Sequence, residues 1–152
     1  MTPQDKIPIS ANTQPSKLEL NPIILIAEDI EVCYMVLEIT LRMLMPKNYS
    51  PNIFNIQSGD KTLETLRTRK DITHLFLDMR LPQISGYDIA RTIRTDTSLG
   101  YNKLPIIAVT ANTREQDRQI CLDAGCSDYL SKPVMPNNLN KIVAKYFPPI
   151  IL

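Results

Sequence analysis

Residues 23–45 read IILIAEDIEVCYMVLEITLRMLM, and the two halves of this stretch obey different periods. Ile23 to Ala27 is a continuous apolar run, short enough for a strand buried on both faces. Glu31 to Met45 has helical length and stops at Pro46, whose ring and missing N–H end a helix. One strand followed by one helix is therefore the unit to seek elsewhere in the chain.

Four more such units follow. Ile53 to Ile56 precedes a helix from about Gly59 to Arg69 on which Leu63 and Leu66 share a face, and its short strand suits a peripheral place. Leu75 to Asp78 (LFLD) leads into a loop with Pro82 and Gly86, then a helix carrying Ile89 and Ile93 on one side. Ile106 to Thr110 (IIAVT) is followed by Thr113 and Gln116, a capping-box spacing that predicts a helix opening at Thr113 and stopping at Gly125. Asp128 to Ser131, the Lys132-Pro133 step and a helix with Leu139, Ile142, Val143 and Tyr146 complete the series. Five alternations of apolar strand and helix predict an α/β fold: a parallel sheet covered by helices on both faces. Ligands of such sheets sit beyond the carboxyl ends of the strands, at the topological switch point.

The 152 residues (17.3 kDa) suit one domain, and 17 basic against 16 acidic residues give a formal charge of +1. That balance points to neither a nucleic-acid nor a membrane surface. Residues 1–20, with Pro3, Pro8 and Pro15 among polar neighbours, read as a flexible leader; 21–148 form the folded unit and 149–152 a short apolar tail. Cys33, Cys121 and Cys126 lack metal-ligand spacing and have only His74 for company, so they read as reduced and buried. The N-terminus has no apolar signal-peptide core and no stretch reaches 18 apolar residues, so a cytoplasmic setting without membrane insertion is expected.

At the predicted strand ends stand Glu28 and Asp29, then Asp78, Thr110 and Lys132. Three carboxylates gathered on one edge repel by about 3 kcal/mol per pair at ~5 Å and an effective dielectric near 20, so they require a cation or raised pKa values. One lysine and one divalent ion would balance them, and oxygen donors beside open solvent suit Mg²⁺. Neutralised in this way, Asp78 is a competent nucleophile for an aspartyl-phosphate, and the Thr110 hydroxyl can bond a newly attached phosphoryl oxygen. Each residue has an alternative reading: the acidic pair as a helix cap, Asp78 as part of a turn, Lys132 as a solvated lysine. Their joint occurrence at four strand ends favours the chemical one.

The pieces ILIAEDIE, LFLDMRLPQISGYD, IIAVTAN and AGCSDYLSKP resemble the receiver domain of two-component response regulators, from Pro22 to Phe147. The resemblance implies a flavodoxin-like, doubly wound (βα)5 sandwich with strand order 2-1-3-4-5. It implies phosphorylation of Asp78 by a sensor histidine kinase or histidine phosphotransfer protein. It further implies Mg²⁺ ligated by Asp29, Asp78 and the Arg80 carbonyl, with Glu28 acting through water. Lys132 would hold a phosphoryl oxygen, Thr110 would close on it, Tyr129 would swing inward with it, and Lys132-Pro133 would be cis. Tyr129 is equally an aromatic packed in an edge strand. The resemblance also implies that the side chains at Arg80 and Asn112 tune how fast water removes the phosphate, and the long cationic Arg80 is expected to shield it.

Only 20 residues follow Lys132, too few for a helix-turn-helix, so the output is expected to be contact with a downstream protein, for which the resemblance implies a surface formed by the fourth helix, fifth strand and fifth helix. The first helix carries only Glu31, Glu38 and Arg42 as charges, which fits either a partner-binding face or a thick core. Other readings fit less well. A haloacid-dehalogenase-type phosphatase needs an acid where Arg80 stands, and a flavin carrier would not place Glu28-Asp29 at its phosphate loop. A receiver fold working by contact alone remains the alternative to phosphorylation.

Overall fold

A computed structural model describes residues 21–112 and 114–149. The elements are β1 (Ile23–Ala27), α1 (Glu31–Leu44), β2 (Asn52–Ile56), α2 (Gly59–Thr68), β3 (His74–Asp78), α3 (Gly86–Thr95), β4 (Ile106–Thr110), α4 (Glu115–Asp123), β5 (Asp128–Ser131) and α5 (Pro136–Tyr146). The five strands form one parallel sheet in the order β2-β1-β3-β4-β5, with β2 at an edge as expected. The chain steps outward from β1 to β2 and then crosses back to β3. The switch point therefore lies between β1 and β3.

Alternation along each strand divides the core. Leu25 and Ala27 of β1, with Leu75 and Leu77 of β3, face α2, α3 and α4 through Leu66, Ile89, Ile93 and Cys121. Ile24 and Ile26 face the other way with Phe76, Ile107 and Val109, against Leu37 and Leu41 of α1 and Leu139, Ile142 and Val143 of α5. Each such side chain contributes about 2 kcal/mol on burial, which is what holds two helices on one face and three on the other.

Local chemistry sets the ends of the elements. Met45 is extended (ψ 145°) because Pro46 excludes it from helical space, so α1 ends at Leu44, one residue before the expected stop. Gly125 adopts φ +113° after α4, with its N–H on the Leu122 carbonyl and the Cys126 N–H on that of Cys121, the paired bonds that close a helix in a left-handed turn. The expected cap at Thr113 lies outside the described residues; α4 starts at Glu115, with Arg114 extended at its N-cap. Cys121 and Cys126 are buried and free, whereas Cys33 is only half-buried, because it lines a partly open cavity beside α1. Among the described residues, no helix is long and apolar enough to cross a membrane.

Candidate functional site

The sheet's carboxyl edge gathers the predicted residues. Asp78 ends β3 and Thr110 ends β4, both buried; Glu28 and Asp29 follow β1, and Lys132 follows β5. Carboxylate oxygens of Glu28, Asp29 and Asp78 lie within 4.8 Å of one another, with Asp29 the exposed member. The Lys132 ammonium sits 2.6 Å from Glu28 Oε1 and 3.2 Å from Asp78 Oδ2. Its backbone N–H donates to the Thr110 carbonyl (2.8 Å), which carries the strand pairing one residue past β5 and delivers the side chain to the site. The Lys132-Pro133 peptide is cis, as the resemblance implies.

Neither acid caps α1. Ile30 occupies the N-cap without a side-chain bond, and Glu28 Oε2 instead accepts from the Ile30 N–H (3.1 Å). The other Glu28 oxygen is left for Lys132. Burial pushes the Glu28 carboxyl up, opposed by its bonds from Lys132 and the Ile30 amide. Burial also pulls on the Lys132 ammonium, but the Glu28 hydrogen bond and the charges of Asp78 and Glu28 outweigh it and hold it above its ordinary value. Lys132 is thus fixed as a cation between two acids.

The loop after β3 folds back tightly. A Cβ on Gly86 would stand 2.5 Å from the Asp78 carbonyl oxygen and 2.7 Å from Met79 Cα, so only glycine fits where α3 begins. Ser85 caps that helix by accepting from the Asp88 N–H, and the Arg80 N–H donates to Asp78 Oδ1 (2.9 Å). The Arg80 guanidinium reaches Asn112 Oδ1 (3.2 Å) across the site. Asn112 also donates its N–H to Thr110 Oγ1 (3.3 Å) and accepts the Tyr129 hydroxyl on its carbonyl. Tyr129 is part-buried against the core, and burial, followed by the neighbouring Cys121 thiol and the charges of Asp117 and Glu115, raises its phenol.

Two residues escaped the sequence reading. Asn55 of β2 donates its amide to the carbonyls of Ile26 (2.9 Å) and Glu28 (3.0 Å), pinning the acidic turn from the neighbouring strand. An asparagine between Phe54 and Ile56 of that strand was its only sign. Asp117 of α4 is buried and bonded by Arg114 (3.0 Å) beneath the loop after β4. Nothing local distinguishes it from the exposed acids of the same helix.

The donor set fits Mg²⁺. The three carboxylates supply hard oxygens, no thiolate or imidazole stands among them, and with Lys132 they leave two negative charges for a divalent cation to balance.

A parallel 2-1-3-4-5 sheet with an aspartate, two further acids, a threonine and a lysine on its carboxyl edge defines the receiver class of signalling domains. The profile of the response regulator receiver domain matches residues 24–144, and the chain belongs to that family. It is 32% identical to the receiver domain of the sensor histidine kinase PA1611 from Pseudomonas aeruginosa, crystallised with magnesium in its active-site cleft, over 85% of this chain and 99% of that one (TM-score 0.69). It is 25% identical to the receiver domain of Ssk1 from Saccharomyces cerevisiae, crystallised with the histidine phosphotransfer protein Ypd1, over 83% of this chain and 88% of that one (TM-score 0.70). A hybrid signal transduction histidine kinase from Dictyostelium discoideum is 36% identical over 73 residues, 47% of this chain. The chain spans 4% of that kinase, and 62% and 58% of two further curated relatives.

Proposed function

We propose that the chain is a phosphoacceptor switch in a two-component phosphorelay, and that Asp78 takes a phosphoryl group from the histidine of a sensor kinase or phosphotransfer protein. The observation that carries this reading is the placement of Asp78: buried at the end of β3, bonded by Lys132, and within 4.8 Å of two more carboxylates. Glu28, Asp29, Asp78 and the Arg80 carbonyl would hold Mg²⁺, which when bound supplies positive charge to the phosphoryl oxygens. A carboxylate oxygen of Asp78 attacks phosphorus while the bond to the donor's nitrogen breaks. Lys132 exchanges one of its acidic partners for a phosphoryl oxygen, and Thr110 turns its hydroxyl toward another, releasing the Asn112 amide it now accepts from. Tyr129, tied to Asn112, carries that change to β5 and α4.

The chain's chemistry is confined to its own phosphorylation and dephosphorylation, and its output is contact with a downstream protein in the cytoplasm. The working unit is residues 21–148, between the leader 1–20 and the tail 149–152. The exposed face of α1 is the docking place for the phosphodonor.

The test is the intact mass after incubation with acetyl phosphate, with and without Mg²⁺. The expected outcome is a gain of one phosphoryl group that needs Mg²⁺ and disappears in Asp78→Asn. Mg²⁺ binding without any gain would leave a specialised protein donor as the sole route, and neither binding nor gain would favour a contact module that works unphosphorylated.

A further inference from the structure

Between α1 and the segment after β5 the fold leaves a partly open cavity of about 190 Å³. Its wall is apolar: Val32, Val36 and Leu37 of α1, Phe76 and Val109 of the sheet, and Val134. Val32 and Val36 stand at its mouth, 66% and 47% exposed. At its inner end lie Glu28, Asp78 and Lys132. No step of the phosphoryl chemistry uses the apolar part.

Size and charge together select an occupant. A dry cavity of about 150 Å³ lined by Leu, Ile and Phe accepts benzene, so this one has room for a single aromatic ring. Its inner end is anionic, because Glu28 and Asp78, with Asp29 beside them, face one ammonium. An anionic ring would be repelled there, a neutral ring would gain only the wall, and a cationic ring would gain both.

We infer that this cavity is a binding site for a small aromatic cation, a ring bearing a protonated amine or amidine, and that such a ligand opposes divalent-cation binding. The ring lies among Val36, Phe76, Val109 and Val134, and the cationic group reaches the carboxylates that would otherwise balance Mg²⁺. Because coupling is reciprocal, Mg²⁺ weakens the organic cation by the same factor. A compound of this class is therefore an inhibitor of metal-dependent phosphorylation.

Benzylamine is the probe, with benzyl alcohol and benzoate as the neutral and anionic rings. Each is titrated into the full chain while the methyl resonances of Val32, Val36 and Val134 are followed, first without Mg²⁺ and then at saturating Mg²⁺. Benzylamine is expected to bind at about 0.1–1 mM, as befits so few atoms. It should bind at least about fivefold tighter than benzyl alcohol and lose about tenfold in affinity when Mg²⁺ is present. Val36→Trp, which fills the mouth from an exposed position, should abolish the shifts while Mg²⁺ affinity stays within about twofold. The proposal is overturned by absent shifts, by equal binding of amine and alcohol, by indifference to Mg²⁺, or by benzylamine binding that survives Val36→Trp. Mg²⁺ affinity and acetyl phosphate labelling, measured on the same samples, report the phosphoacceptor reading separately.

Discussion

Three groups converge on Asn112: the Arg80 guanidinium on its amide oxygen, the Tyr129 hydroxyl on its carbonyl, and Thr110 Oγ1 on its N–H. The sequence marked Arg80 and Asn112 separately, as neighbours two residues beyond an acceptor and a threonine. That they bond each other was not legible, because one belongs to the loop after β3 and the other to the loop after β4. The bridge gives the expected shielding by Arg80 a geometry, since it spans the ground between the two loops that flank Asp78. Arg80→Ala should shorten the life of the phosphorylated protein about fivefold, the kinetic equivalent of one hydrogen bond of about 1 kcal/mol. The decay of phosphorylated mass after donor removal measures it, and an unchanged rate would show that Arg80 shields nothing.

Among the elements, α1 resolves an ambiguity that its sequence left open. Its poverty of charge fitted a thick core or a partner face, and the structure assigns most of the excess to the outside: Met35, Ile39 and Met43 are 46%, 53% and 77% exposed, while only Leu37 and Leu41 are buried. A helix can cover the sheet with one stripe alone, so Met35, Ile39 and Met43 are left facing solvent. If that face receives the phosphodonor, Met35→Glu combined with Ile39→Glu should slow transfer from a histidine phosphotransfer protein by on the order of tenfold or more. Stability should stay within about 0.5 kcal/mol per substitution, and labelling by acetyl phosphate should be unchanged. Equal transfer rates for parent and variant would move the docking surface elsewhere.

At the scale of the whole molecule, His74 ties the amino-terminal edge of the sheet to the last helix. Its Nε2 meets the Tyr146 carbonyl (3.1 Å), its Nδ1 meets Thr73 Oγ1 (2.8 Å), and its ring stacks on Phe147 (centroids 4.0 Å apart). Burial pulls its pKa from 6.5 to about 4, with the Tyr146 carbonyl opposing. The folded state therefore holds the neutral ring while the unfolded chain takes the proton first. This contribution is present above pH ~6.5 and lost as the pH falls toward 4, about 3 kcal/mol in all. Urea unfolding between pH 7 and 4.5 should show His74→Leu losing less stability than the parent, and parallel losses would remove His74 from the account. From the sequence, this histidine was only a missing companion for three cysteines; its partners Tyr146 and Phe147 lie 72 and 73 residues away, on α5 and just beyond it. What the amino-acid order determined by itself was periodic and local: five strand-helix units, Gly86 and Gly125 at two turns, and the chemical residues at strand ends, because a strand's carboxyl end is legible wherever its apolar run stops. What tertiary structure alone decided was pairing across the sheet: Asn55 under the acidic turn, Lys132 between Glu28 and Asp78, Arg80 on Asn112, and the cavity behind Val36. Those contacts join segments far apart in the chain, and spacing along a sequence carries no record of which segments meet until the core has packed them together.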